Sequence, residues 1–131
     1  MLKAVESDGD VIAHIYDMTA PSGKSFPTPG HFAMQFGVGV IDEDWTSKPH
    51  IHKRVGREIE GTSEFIFIIE GRLDAVFYDE QEREVGRETL TDRMALLQLK
   101  GGHKLTFAKG TTYFELKQGP YKGRDWDKYE I

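Results

Sequence analysis

Four side chains in this sequence have the types and spacing of a metal-ligand set: His50, His52, Glu64 and His103. Successive side chains of a β-strand point to opposite faces, so the pair in PHIHK offers both imidazoles from one side if it lies on a strand. Glu64 opens the run EFIFII, which is β-branched and aromatic and too short for a helix. It reads as a buried strand that sets a carboxylate beside those imidazoles. His103, in KGGHKLTF, supplies the third imidazole. Three neutral imidazoles and one carboxylate leave a divalent ion at about +1 with coordination positions still open. Open positions separate a catalytic or ligand-binding metal from a closed structural one. The mixed nitrogen and oxygen set suits Fe(II), Mn(II), Ni(II), Co(II) or Zn(II) without choosing among them.

Other residues take weaker parts. Arg57, on the charged stretch KRVGREIEGTS between the His pair and Glu64, offers a planar fork to a carboxylate or phosphate near the metal. Lys117 and Tyr121, in FELKQGPY, suit either the edge of a site or ordinary packing and surface charge. His14 and His31 have no partner at useful spacing and read as structural or surface residues. No nucleophile elbow, phosphate loop or dinucleotide fingerprint occurs, and the absence of cysteine excludes thiol catalysis and thiolate metal sites.

These residues need strands to hold them, and the chain is written in strands. VIAHIYDM (Val11–Met18) is the first, followed by the Pro- and Gly-rich loop TAPSGKSFPTPG. Phe32–Ile41 reads as a strand with Phe32, Met34, Phe36 and Val38 on one face and Gln35 on the other. DEDWTSK is the loop leading into the His pair. After EFIFII, a tight hairpin is expected at the EGR corner, and RLDAVFY follows with Leu73, Ala75 and Phe77 inward and Asp74 outward. EVGRETL, MALLQL, KLTFA and TTYFELK continue the series, with turns at DEQER and TDR. Turn signals at intervals of about 8–12 residues predict an all-β sandwich or barrel. The tail QGPYKGRDWDKYEI, with its tyrosines and tryptophan, is expected to pack back over the strands.

A chain of 131 residues is expected to form a single domain. Within it, N-terminal strands occupy about 1–41, a barrel core about 42–117 and a C-terminal tail about 118–131. With 38% hydrophobic and 30% charged residues it has the composition of a folded protein, not a disordered one. The net charge of −5, with Lys and Arg scattered among acids, argues against nucleic acid as a partner. No apolar run approaches the roughly 20 residues of a membrane helix, and MLKAVESDGD lacks a signal-peptide core, so no membrane partner and a cytoplasmic location are expected.

With these residues in hand, the chain resembles the metal-binding cupin superfamily. His50, His52, Glu64 and Gly71 follow its first motif, including the six residues between Glu64 and Gly71. The gap between His52 and Glu64 is eleven residues, longer than the general motif has. In the second motif His103 is kept, whereas the proline is missing and the glycines are shifted. EFIFIIEGRLDAVFYDE, GGHKLTF and FELKQGPY look like a subgroup of small single-domain bacterial cupins with a GGH motif and a KQGPY tail. In that subgroup the long gap is usual, with an Arg matching Arg57 and a GT-x-E matching Gly61–Glu64. Many of its members are encoded among genes for surface-polysaccharide or nucleotide-sugar synthesis.

The resemblance implies a double-stranded β-helix, the jelly-roll or cupin barrel, with Gln35 on a strand lining its mouth and in reach of substrate. It implies a divalent metal on His50, His52, Glu64 and His103, and a homodimer paired through sheet edges. The metal would act as a Lewis acid on a small polar metabolite such as a sugar or nucleotide-sugar derivative, in an isomerase- or epimerase-type reaction. A non-catalytic ligand-binding or sensing module, an Fe(II)-dependent dioxygenase and a purely structural metal domain remain the alternatives.

Overall fold

Apolar residues at alternate positions make strands buried on one face, and continuous apolar runs make strands buried on both. Both patterns appear in a computed structural model of the protein, which describes residues 2–19 and 23–131. The strands are β1 (Leu2–Ser7), β2 (Asp10–Asp17), β3 (Lys24–Ser25), β4 (Val38–Gly39) and β5 (Glu64–Glu70). They continue with β6 (Arg72–Tyr78), β7 (Glu84–Thr91), β8 (Met94–Gln98), β9 (Gly102–Phe107) and β10 (Thr112–Lys117), and one short helix, α1 (Arg124–Asp127), follows. The part of the loop reading that falls on residues 20–22 lies outside the described residues.

Every ladder is antiparallel. A five-stranded sheet runs β1-β2-β8-β5-β10, a three-stranded sheet runs β7-β6-β9, and β3 and β4 form a two-residue ladder of their own. The two larger sheets share one core. Ile15, Leu96 and Ile66 lie in register across β2, β8 and β5, and meet Leu73, Ala75, Phe77 and Leu90 from the other sheet. Burying each large apolar side chain contributes about 1.5–3 kcal/mol, and this layer holds the sheets face to face. The opposite face of the five-stranded sheet carries a second cluster. Tyr16, Ala95 and Leu97 are covered there by Phe32, Met34, Phe36, Phe65 and Phe67.

The chain therefore is all-β, with two antiparallel sheets packed as a sandwich. The sheets do not close into a barrel: among the described residues, β9 and β10 each end a sheet with one edge unpaired. From β5 onward the chain passes between sheets at β5–β6, β7–β8, β8–β9 and β9–β10.

Three local expectations are corrected. The EGR corner is not a hairpin, because both edges of β5 are taken by β8 and β10, and Gly71 (φ 115°) turns the chain into the opposite sheet. A Cβ at Gly71 would stand 2.6 Å from Thr111 Oγ1, so the corner admits only glycine without a shift. The strand expected over Phe32–Ile41 shrinks to Val38–Gly39. Phe32, Met34 and Phe36 still alternate between half-buried and exposed neighbours, so the periodicity reports packing onto the sheet without a ladder. The strand expected at the His pair is absent: residues 40–63 are irregular, and 40–61 are exposed throughout.

The two-residue β3 falls in the stretch read as loop, and one longer strand, β1, also lies outside those read from the sequence. Its hairpin with β2 turns on Asp8-Gly9, with φ of 51° and 84°, the positive values a two-residue type I′ turn demands. No helix among the described residues is long and apolar enough to cross a membrane.

Candidate functional site

Glu64 shares a face of β5 with Ile66 and Ile68, so its side chain points between the sheets rather than to solvent. His103 shares a face of β9 with Leu105 and Phe107, both packed on the same core. The sandwich brings the two together: His103 Nε2 is 3.3 Å from Glu64 Oε2, with only 11% of the Glu64 side chain exposed. The glycine before this strand has a physical reason. Gly101 has φ +71°, and a Cβ there would overlap the Tyr78 carbonyl oxygen. Glycine lets β9 start close against the end of β6, which sets His103 opposite Phe77.

Gln98, Glu64 and Lys117 stand in register across β8, β5 and β10. Lys117 Nζ lies 3.1 Å from Glu64 Oε1 and 2.5 Å from Asp127 Oδ2. Asp127 comes from α1 in the tail, and its side chain is 5% exposed. Thr62 Oγ1 donates to the other oxygen of that carboxylate at 3.4 Å. Gln118 N–H donates to Ser63 O at 2.8 Å, tying the root of the tail to the start of β5. The result is a charged chain, Asp127–Lys117–Glu64, that ends against an imidazole.

Its electrostatics follow from these contacts. The hydrogen bond to Asp127 chiefly holds the Lys117 ammonium charged well above the ordinary lysine range, with Glu64 adding to it. The same bond from Lys117 is the main cause that keeps the Asp127 carboxyl below the usual carboxylate range. Burial pushes His103 below the ordinary imidazole value, against the opposing pull of the Glu64 charge. A neutral imidazole beside a carboxylate is what a divalent metal requires. Among the described residues, two side-chain polar atoms are buried without a hydrogen-bond partner, His103 Nδ1 and Gln98 Oε1.

The other expected ligands are placed elsewhere. His50 and His52 lie on the exposed 40–61 segment, their rings 5.3 Å apart and edge to face, with His50 Nδ1 2.9 Å from Lys48 O. Among the described residues no three His, Asp or Glu side chains are gathered to hold a metal. Arg57 is exposed on the same segment. Gln35 is also exposed and braces its own loop, donating from Nε2 to Phe32 O at 2.8 Å and Pro29 O at 3.1 Å. His14 is buried, with Nδ1 3.1 Å from the Tyr16 hydroxyl. His31 is exposed beside Phe32.

The role of Asp127 is the part the sequence reading lacks. Its only local signal is an acidic residue in an aromatic tail, and the partner Lys117 is identified by the register of β10 on β5. In comparisons with protein-family models, with curated proteins and with solved structures, nothing matches the chain.

Proposed function

We propose that the protein is a metal-binding cupin whose site is built on Glu64 and His103, acting on a small polar metabolite of the sugar or nucleotide-sugar type. The observation that carries this reading is the approach of those two side chains from opposite sheets. Ligands bound at about 2.1 Å on neighbouring octahedral vertices stand about 3 Å apart. The 3.3 Å between His103 Nε2 and Glu64 Oε2 is close to that spacing. Lys117 Nζ takes the other oxygen of Glu64, Oε1, at 3.1 Å, which leaves Oε2 facing His103 for a metal.

His50 and His52 complete the donor set in this proposal, which requires the 40–63 segment to fold in. Its exposed Ile41, Ile51, Val55 and Ile59 give it apolar surface to bury, and the free edge of β9 offers an open ladder. Addition of a strand there would extend the sandwich toward a double-stranded β-helix, a topology that the repeated crossings between sheets also favour. When bound, a divalent metal supplies Lewis acidity toward a carbonyl or hydroxyl of the ligand. Glu64 and His103 fix the position from rigid strands, and burial of His103 favours the neutral ring. Arg57 and Gln35 are assigned to substrate contact in the same reading. A homodimer paired through the free edge of β10 fits the exposure of Tyr113, Phe114 and Leu116 there.

Elemental analysis of untagged protein tests the assignment. The wild type is expected to carry one equivalent of a divalent transition metal, and His50→Ala and His103→Ala are each expected to lose it. Stoichiometric metal that survives both substitutions contradicts the assignment.

A further inference from the structure

We propose that Lys117 and Thr62 form a receiving slot for the carboxylate of a small hydroxylated ligand, and that Asp127 of the tail fills this slot as an internal stand-in. The two oxygens of Asp127 meet two different donors, Lys117 Nζ at 2.5 Å and Thr62 Oγ1 at 3.4 Å, as a bound carboxylate would. Apart from Gln118 N–H on Ser63 O at its root and Lys117 Nζ over the Tyr121 ring, 5.5 Å from its centroid, the tail has little else to hold it. Helix α1 has four residues and none is buried, and Tyr121, Trp126, Tyr129 and Ile131 are each more than 60% exposed. An element kept in place for stability buries its aromatic residues, because those carry the largest transfer free energy. Here the aromatics remain in water and the carboxylate is enclosed, so the tail behaves as a plug whose specific contact is polar.

The surroundings of the slot suit the rest of such a ligand. Gln98 is 2% exposed and its Oε1 has no partner, and His103 Nδ1 is likewise unpaired. Gln98 stands in the same row as Glu64 and Lys117, one strand beyond Glu64, so an acceptor for a ligand hydroxyl lies across Glu64 from the cation that takes the carboxylate. Replacing Asp127 by a ligand carboxylate leaves the charge count of the cluster unchanged. A uronic acid or a sugar acid has the required chemistry; a neutral sugar lacks the group that competes with Asp127. The inference gives the ligand of the proposed site its chemical class, yet the slot needs no metal, so it is tested on chelator-treated protein and stands or falls separately from the metal.

The probe is D-glucuronate, with D-glucose as its neutral match, titrated calorimetrically into wild-type protein, Asp127→Asn and the double variant Asp127→Asn/Lys117→Met. Removing an internal competitor raises apparent affinity by the factor by which it had occupied the slot. Glucuronate is expected to bind Asp127→Asn at least about tenfold more tightly than wild type, the double variant is expected to lose that gain, and glucose is expected to bind none of them. Equal or weaker glucuronate binding by Asp127→Asn, or a gain that persists without Lys117, overturns the proposal. A second measurement leaves Asp127 intact. The chain has two tryptophans, Trp45 and Trp126, so Trp45→Phe leaves Trp126 as the sole reporter of the tail. Glucuronate is expected to shift Trp126 emission saturably, and glucose to leave it unchanged; no shift at saturating glucuronate contradicts displacement of the tail.

Discussion

The four candidate ligands divide into two pairs that the fold treats differently. Glu64 and His103 are held by ladders on β5 and β9, face the core and approach to 3.3 Å. His50 and His52 are near each other on an exposed segment without a ladder. The first pair is positioned by residues around it, since Ile66 and Ile68 on one strand and Leu105 and Phe107 on the other fix which way each strand faces. The second pair has no such neighbours. The difference shows that an H-x-H spacing offers two imidazoles from one side only where flanking residues commit the chain to a strand. Between Gly39 and Glu64 polar residues, charges and glycines interrupt every apolar alternation.

If this contrast is correct, substitutions on the two sides should differ in cost. The largest effect is expected for Phe77→Ala, beneath His103 and fully buried, which should lower unfolding free energy by about 3–5 kcal/mol in a denaturant titration. Gly101→Ala should follow at about 2 kcal/mol or more, because it strains a positive φ and meets the Tyr78 carbonyl. Its circular dichroism melt would fall accordingly, and an unchanged melt would remove the reason given for the glycine. Ile51→Ala, at a position 94% exposed, should change the stability of metal-free protein by less than about 0.5 kcal/mol. A larger loss would mean that the segment is packed in the absence of metal.

A pH series tests a buried histidine on β2, His14. Burial lowers the His14 pKa below its ordinary value of 6.5, partly opposed by the Glu6 charge. Between 6.5 and the lower folded value, the unfolded chain binds the proton and the folded chain does not. Stability therefore declines as pH falls through that window, and His14→Gln is expected to flatten the decline in equilibrium unfolding measured across it. An unchanged slope would assign the decline to other groups.

Much of the sandwich was legible from residue patterns. Leu73, Ala75 and Phe77 alternate cleanly, and they are buried as the alternation requires. EFIFII reads as a strand, and its two faces enter two different clusters, which is why it lacks alternation. What could not be read is pairing. The EGR corner has the residues of a hairpin, but β5 already has partners on both edges, a long-range fact that no local window contains. Asp8-Gly9 is a local hairpin signal that the strand reading, which began at Val11, passed over, and its positive φ values show why that dipeptide is used. In the site, Glu64 and His103 were recognisable as candidates from type and setting. Lys117 and Asp127 were not recognisable as a pair, because they meet only when β10 is in register on β5 and the tail folds back.

The central claim is that the two pairs of ligands join around one metal ion. Metal-free protein loaded with one equivalent of Co(II) and observed by proton NMR tests it directly, because imidazole ring protons on a cobalt ligand move far outside the diamagnetic range. Shifted ring protons from three imidazoles are expected in the wild type, and none in His50→Ala or His103→Ala, which lose the metal. A single shifted imidazole that persists in His50→Ala, or no shifted imidazole in the wild type, would contradict this.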